Sequence, residues 1–408
     1  MCRSTIWFLY CQWFLNMIIR YQHIPLMQTF FALILLELFL MGSGRFLEFG
    51  PLTLRMIFFI LAIALSFFMY LMHLQIKKYV LWFVLVQLSL LSFSSFVGIL
   101  NGANISLVLE DIKPLLYFFM ILPFAVFIKN YQSIILVVNI IKFSSFLMML
   151  FYLIFISLLY FSFINFDAIY SLVSEGSDDI MFRGAGSDEP GFFYKGFLYL
   201  NVGFIFFIFS PKKLDKVVAF FLFISILLTF TRGFIVALAL SFIYLFLVEI
   251  KNKKSFFALV SIVLLIFILI PYYMTFVGER SESDIMRIIQ IRQVIENISV
   301  VSLLIGHGFG VGIPIRPVHL EIAYLEIFHK QGLMGLLFWF LIIWMITKQY
   351  LTIKYKNHIV KSFFLSSVFV FMQSLTNPFI NNPIGLAMVL VTLVSLIYIK
   401  NNEKEIYE

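Results

Sequence analysis

Cysteine is nearly absent from this chain of 408 residues: the 2 present, Cys2 and Cys11, stand close together near the start. They support neither a disulfide framework nor a thiolate metal site. Charge is scarce as well, at 12% Asp, Glu, Lys and Arg, far below the share a soluble domain needs to cover its surface. No repeat of fixed period and no low-complexity linker divides the chain, so a single domain over residues 1–408 is the simplest organisation. A cleavable leader is not expected either: the apolar stretch 6–19 has no small-residue cleavage site and runs into Arg20 and a longer apolar segment. What is abundant is apolar surface, with 62% hydrophobic residues and a mean hydropathy of +1.03. Apolar runs long enough to cross a hydrocarbon core of ~30 Å recur along the whole length. The expected fold class is all-α: a polytopic transmembrane helical bundle.

Candidate spans fall at 24–41, 54–74, 80–100, 114–128, 143–163, 192–209, 217–230, 234–250, 255–276, 320–347, 362–376 and 384–399, about twelve in all. The formal net charge of +8 does not point to nucleic acid, because the basic residues form short clusters between these runs. Lys77 and Lys78; Lys129; Lys212, Lys213 and Lys216; Lys251, Lys253 and Lys254; and Lys348, Lys354, Lys356 and Lys361 occupy every second connection. An excess of Lys and Arg marks cytoplasmic loops, so these connections and both termini are expected inside. The alternate connections face outward. Two of them are long: 165–191, acidic and rich in Gly and Ser, and 277–319, which contains an amphipathic helix and a glycine-rich stretch. The 53 phenylalanines are compatible with a lipid-facing surface and identify no activity.

Polar residues on the outer side carry the functional signal. Arg183, in Met181-Phe182-Arg183-Gly184, precedes a span; its guanidinium suits a phosphate or carboxylate, or simply pairs with Asp188 or Glu189. Arg232 is the only charge between Lys216 and Glu249, at a sharp break between two spans. An ionisable residue there marks a functional site or snorkels to the interface. Within Ser281 to Ile298, a Ser-x-x-Asp start precedes apolar residues at helical spacing, with Ile288, Ile291, Val294, Ile295 and Ile298 on one face. Arg287 projects within that arc, so the helix is expected to lie on the membrane domain with Arg287 turned inward. Arg292 is expected to pair with Glu296 one turn on. Gly306, Gly308, Gly310 and Gly312 then alternate with larger residues, a pattern permitting tight turns and close backbone approach to a ligand. It does not fit a dinucleotide loop, which needs a preceding strand. His319 and Glu321 follow and open an apolar helix whose start favours an anion. His319 is a candidate general base, or a structural histidine at an interface.

Together these residues resemble the O-antigen polymerase and O-antigen ligase family. The motifs are Thr231-Arg232-Gly233, Arg287, Gly306-His307-Gly308-Phe309-Gly310, and His319 through Gly335 with its Tyr-Leu-Glu-Ile and Gly-Leu-x-Gly. The resemblance is carried by the C-terminal half; the N-terminal half shares hydropathy and Arg183 with its glycines. It implies a multi-pass glycosyltransferase of the bacterial inner membrane, working at the periplasmic face without metal or other cofactor. The donor would be an oligosaccharide on undecaprenyl pyrophosphate. Arg183, Arg232, Arg287, Gly308 and Gly310 would bind the pyrophosphate. His319, Glu321 and Arg232 would be catalytic. A chain-length regulator and a flippase are the candidate protein partners. Ligases of the family often carry His-Asn where this chain has His319-Leu320, which favours polymerase over ligase, with Glu321 taking an acid/base or positioning role. A transporter or lipid-linked-sugar flippase is the alternative of another class. It would need several charges at mid-membrane, where Glu37 is the clearest one, and related halves.

Overall fold

A computed structural model of the chain describes residues 26–42, 44, 48–49, 52–72, 76–164, 180–183, 191–250, 257, 261 and 281–407. The expected span 255–276, most of the loop 165–191, and Cys2 and Cys11 lie outside the described residues. The remainder is built from helices: α1 (Leu26–Leu40), α2 (Leu54–Leu71), α3 (Lys78–Leu100), α4 (Ile105–Leu115), α5 (Ile121–Phe127), α6 (Tyr131–Tyr160), α7 (Leu198–Ile208), α8 (Lys213–Leu228), α9 (Arg232–Glu249), α10 (Ser281–Glu296), α11 (Val300–Ile305), α12 (Ala323–Thr352), α13 (His358–Gln373), α14 (Pro383–Asn401) and α15 (Glu403–Tyr407). Two small antiparallel ladders accompany them: β1 (Glu48–Phe49) with β2 (Leu52–Thr53), and β3 (Ile180–Arg183) with β4 (Gly191–Tyr194).

Short polar residues start several helices. Side chains of Thr53, Asn104, Asn130, Asn357 and Asn382 accept hydrogen bonds from first-turn amides of α2, α4, α6, α13 and α14. These are donors that no helical carbonyl can reach. Pro383 follows the Asn382 cap, where a missing N–H costs nothing.

Among the described residues, α2, α3, α6, α9, α12 and α14 are long and apolar enough to cross a membrane, and three more apolar helices are shorter. A multi-span helical protein is therefore what the chain folds into, with six helices meeting the span length among the described residues. Several expected boundaries also move. The run 114–128 begins at Ile105 and passes through a 3-10 turn, Leu116–Met120, between α4 and α5. The run 192–209 opens as β4 and a 3-10 turn before α7. The run 320–347 starts at Ala323 and is broken at Gly332, whose φ of 61° and ψ of −156° are not helical. Beyond the break the helix continues as a rod over 333–352, about 30 Å at 1.5 Å per residue.

α13 and α14 form the centre. α14 buries nearly every side chain from Ile384 to Ile399, and α13 buries Phe363, Phe364, Leu365, Val368, Phe369 and Val370. Ser362, Ser366 and Ser367 are buried on α13, small side chains that let neighbouring helices approach. α2 and α3 lie at the periphery with long apolar faces open, including Phe67, Phe68, Leu85 and Phe96. Glu37 is buried, as expected, but it is paired: Arg55 of α2 meets its carboxylate at 2.9 Å, joining α1 to α2.

The helix ends sort into two sets. Glu249 at the end of α9, Tyr350 near the end of α12 and Lys361 at the start of α13 meet one another at one end of the bundle. At the opposite end Gly233 of α9 faces Gln373, Thr376 and Asn377 after α13, and Asn381 reaches Glu326 at the start of α12.

Candidate functional site

The glycine loop is an anchor before it is anything else. Gly306, Gly308 and Gly310 all have positive φ, the left-handed region that a side chain disfavours. A Cβ on Gly308 would stand 2.0 Å from the backbone nitrogen of Gly98 on α3, and one on Gly98 would stand 2.0 Å from the Phe309 carbonyl oxygen. The loop is therefore wedged against α3 backbone to backbone. Its amides are all committed: Gly306 to Ser302 O, His307 to His329 O, Gly308 to Lys330 O and Phe309 to Ser94 O. Gly310 N–H donates to Asp111 Oδ2 at 2.7 Å. Gly308 and Gly310, expected beside a ligand, thus spend their N–H groups inside the protein, and their missing side chains permit helix contact. The His307 and His329 rings stack at 4.5 Å and close the base of the loop.

The loop delivers the chain to a buried knot of charge. Lys330 Nζ donates to Asp111 Oδ1 at 2.6 Å, to Glu326 Oε1 at 2.7 Å and to the Val318 carbonyl at 2.5 Å. Its surroundings are dry: Lys330, Asp111 and Glu326 are all buried. A buried ammonium is tolerable only with such a set of acceptors. His319 stands above the knot, its Nδ1 3.1 Å from Glu326 Oε1 and 3.5 Å from Asp111 Oδ1, with half of its side chain exposed. The hydrogen bond to Glu326 holds the His319 pKa above its ordinary value, outweighing the opposing effect of burial. Asn381 donates to the other Glu326 oxygen at 3.2 Å. By donor type Asp111, His319 and Glu326 would suit a metal ion. The same carboxylate oxygens, Asp111 Oδ1 and Glu326 Oε1, already hold the Lys330 ammonium, which supplies the cation of this cluster.

Beside the knot lies a chain of arginines and carboxylates. Arg232, in the first turn of α9, approaches Asp284 Oδ2 at 3.6 Å. Arg287 Nη1 bonds Asp284 Oδ1 at 3.2 Å, and its Nε faces Glu321 Oε2 at 3.3 Å. Arg316 Nη2 donates to the remaining Glu321 oxygen at 2.6 Å. The Glu321 amide donates to Gln290 Oε1 at 3.0 Å, tying the segment before α12 to α10. Both Glu321 oxygens are therefore engaged by guanidinium groups.

Arg232, Arg287, Glu321 and His319 are brought to one end of the bundle, as the sequence suggested. For Arg183 only the backbone is described, at the end of β3 opposite Gly191. His319 and Glu321 precede α12 rather than opening it, since its first residue is Ala323. α10 turns a different side inward than expected. Gln290 and Val294 are buried with Arg287 partly covered beside them, whereas Ile288, Ile291, Ile295 and Ile298 are exposed. The polar pairings of Arg287 and Gln290 outweigh the packing of the isoleucines. Arg292 does pair with Glu296, at 3.2 Å. Asp111, Lys330 and Arg316 were not singled out from sequence, and Glu326 entered only within the Tyr-Leu-Glu-Ile motif. Glu326 and Lys330 had a local signal, opposite charges four apart in an apolar helix. Asp111 is adjacent only in space.

Residues 217–340, which enclose the arginines, the glycine loop, His319, Glu321, Glu326 and Lys330, match the profile of the O-Antigen ligase family. An O-antigen polymerase of Shigella flexneri is 30% identical over 384 residues, covering 92% of this chain and 96% of that protein. No solved structure matches. With nearly the whole chain aligned at that identity, this protein belongs to the O-antigen polymerase and ligase family.

Proposed function

We propose that the protein polymerises O-antigen, joining oligosaccharide repeats carried on undecaprenyl pyrophosphate at the periplasmic face of the bacterial inner membrane. The observation that carries this reading is the juxtaposition of Arg232, Arg287 and Arg316 with the His319–Glu326 pair at the bundle end opposite Glu249, Tyr350 and Lys361. An acceptor sugar hydroxyl attacks the anomeric carbon of the donor. The carbon–oxygen bond to pyrophosphate breaks, the hydroxyl proton passes to the exposed ring nitrogen of His319, and the pyrophosphate leaves on its lipid. Glu326 orients the imidazole and stabilises the imidazolium that forms. The arginines meet the charge that develops on the leaving group, a task that preorganised donors in a partly dry site perform well. Glu321 and Asp284 act as resident counter-ions that hold the guanidinium groups in place, which gives Glu321 a positioning role. The glycines serve by packing the loop on α3, and Arg183 is proposed as a further pyrophosphate contact. The transfer needs neither metal nor nucleotide, because the donor is already activated. A chain-length regulator and a flippase are the expected partners.

The match to the O-Antigen ligase profile favours a second reading, transfer of finished glycan to the lipid A core. Deleting the gene and resolving the surface glycan by size separates the two. Single repeats on the core support polymerase, whereas full-length lipid-linked polymer missing from the core supports ligase. Complementation with Arg287→Ala or His319→Ala is expected to lower polymer formation by about 10²–10³-fold, the usual cost of removing one charge-stabilising donor or base. Normal polymer from Arg232→Ala, Arg287→Ala and His319→Ala alike, at normal protein levels, would overturn the site.

A further inference from the structure

The isoleucines that α10 turns away from the site form part of a larger surface. Ile288 is 64% exposed and Ile295 59%, and Ile291 and Ile298 lie in the same strip. Val300, Val301 and Leu304 of α11, next along the chain, are exposed as well, Val301 at 64% and Leu304 at 51%. An aqueous loop does not keep a contiguous apolar patch of this kind open to water. At about 100° per residue the strip lies roughly a quarter-turn from the buried Gln290–Val294 edge. The same helix therefore presents a polar edge to the site and an apolar edge outward.

The level at which this surface sits is set by α12. The apolar run 333–347 ends at Lys348, at the start of a lysine-rich connection, so its other end, at the break at Gly332, lies toward the outer edge of the hydrocarbon core. α11 packs at this break: a Cβ on Gly332 would stand 2.5 Å from the Leu304 carbonyl carbon. One residue past Gly332 an exposed stripe begins on α12, running through Leu333, Leu337, Phe340 and Trp344 at helical spacing down the rod. The apolar strip of α10 and α11 thus joins the lipid-facing stripe of a span at the height where hydrocarbon gives way to headgroups. Arg292 and Glu296, both exposed, flank the strip as polar residues flank an interfacial helix.

We propose that α10 and α11 form an interfacial anchor whose partner is the bilayer itself, with Ile288, Ile291, Ile295, Ile298, Val301 and Leu304 in the outer edge of the hydrocarbon. The anchor holds Arg287 at the membrane boundary, and it stands whatever reaction the site performs. Spin labels at Ile288→Cys, Ile295→Cys and Leu304→Cys, each with Cys2→Ser and Cys11→Ser, test it in the full chain reconstituted into phospholipid nanodiscs. Collision with oxygen, which dissolves in lipid, is expected to exceed collision with a water-soluble nickel chelate at all three positions. The order is expected to reverse at Glu296→Cys. Preference for the nickel chelate at the three strip positions means a solvated loop and overturns the proposal. Exclusion of both reagents there means that another protein chain covers the strip, and overturns it as well. These positions are exposed, so the labels displace no core packing, and the readout does not depend on activity.

Discussion

His319 owes its chemistry to a residue outside its own loop, Glu326 in the first turn of α12. That carboxylate raises the imidazole pKa, and the sign of its effect on stability follows. A raised folded value contributes stability that is fully present below the unfolded value of about 6.5 and is lost as pH rises through the folded value. Catalysis runs the other way, since a base must be neutral to accept a proton. Turnover is therefore expected to increase with pH through the raised His319 value, and Glu326→Gln should move that midpoint toward acid. A pH–rate profile of both proteins checks this; an unchanged midpoint would separate Glu326 from His319. Lys330 makes a different kind of contribution. Lys330→Met leaves Asp111 and Glu326 buried without their shared cation, which costs about 3–5 kcal/mol. Thermal unfolding in detergent measures the loss, and adding Asp111→Asn should recover part of it. Of these residues, His319 was legible because it is a polar residue in an apolar chain. Asp111 was not, since folding brings it to Lys330 from 219 positions away.

Elements set where those residues stand. The glycine loop carries His319 toward α12 by wedging on α3, and Gly98 is the other half of that contact. Gly98→Val places methyl groups where the Phe309 carbonyl lies, an overpacking worth about 1–3 kcal/mol. Its expected outcome is a lowered unfolding temperature together with shortened polymer, read by thermal unfolding and by the glycan ladder. Val97→Ala, one position along the same helix, should spare the ladder. The alternating glycines were visible as a motif, but their role was not, because glycine serves close ligand approach and close helix approach equally well. Periodicity likewise found α10 and misjudged its inward side. It weighs only apolar residues, and here Arg287 and Gln290 have ionic and hydrogen-bonding partners that the isoleucines lack.

For the molecule as a whole, the Glu249–Tyr350–Lys361 cluster and the site occupy opposite ends of the bundle among the described residues. An impermeant thiol reagent added to intact spheroplasts is expected to label Glu296→Cys and to spare Lys213→Cys and Lys354→Cys until the membrane is opened. The reverse pattern would place the site on the cytoplasmic side. The sequence by itself determined the class of the protein and four of the polar residues now found together, Arg232, Arg287, His319 and Glu321. Hydropathy and charge bias act locally, so they are readable one segment at a time. Only the tertiary structure decided that a lysine unites Asp111 and Glu326 beneath His319, that Glu321 is held between two arginines, and that α12 breaks at Gly332. Each of these depends on groups far apart in the chain sharing a dry space, where an unpaired charge is too costly to leave alone and the partner is chosen by packing.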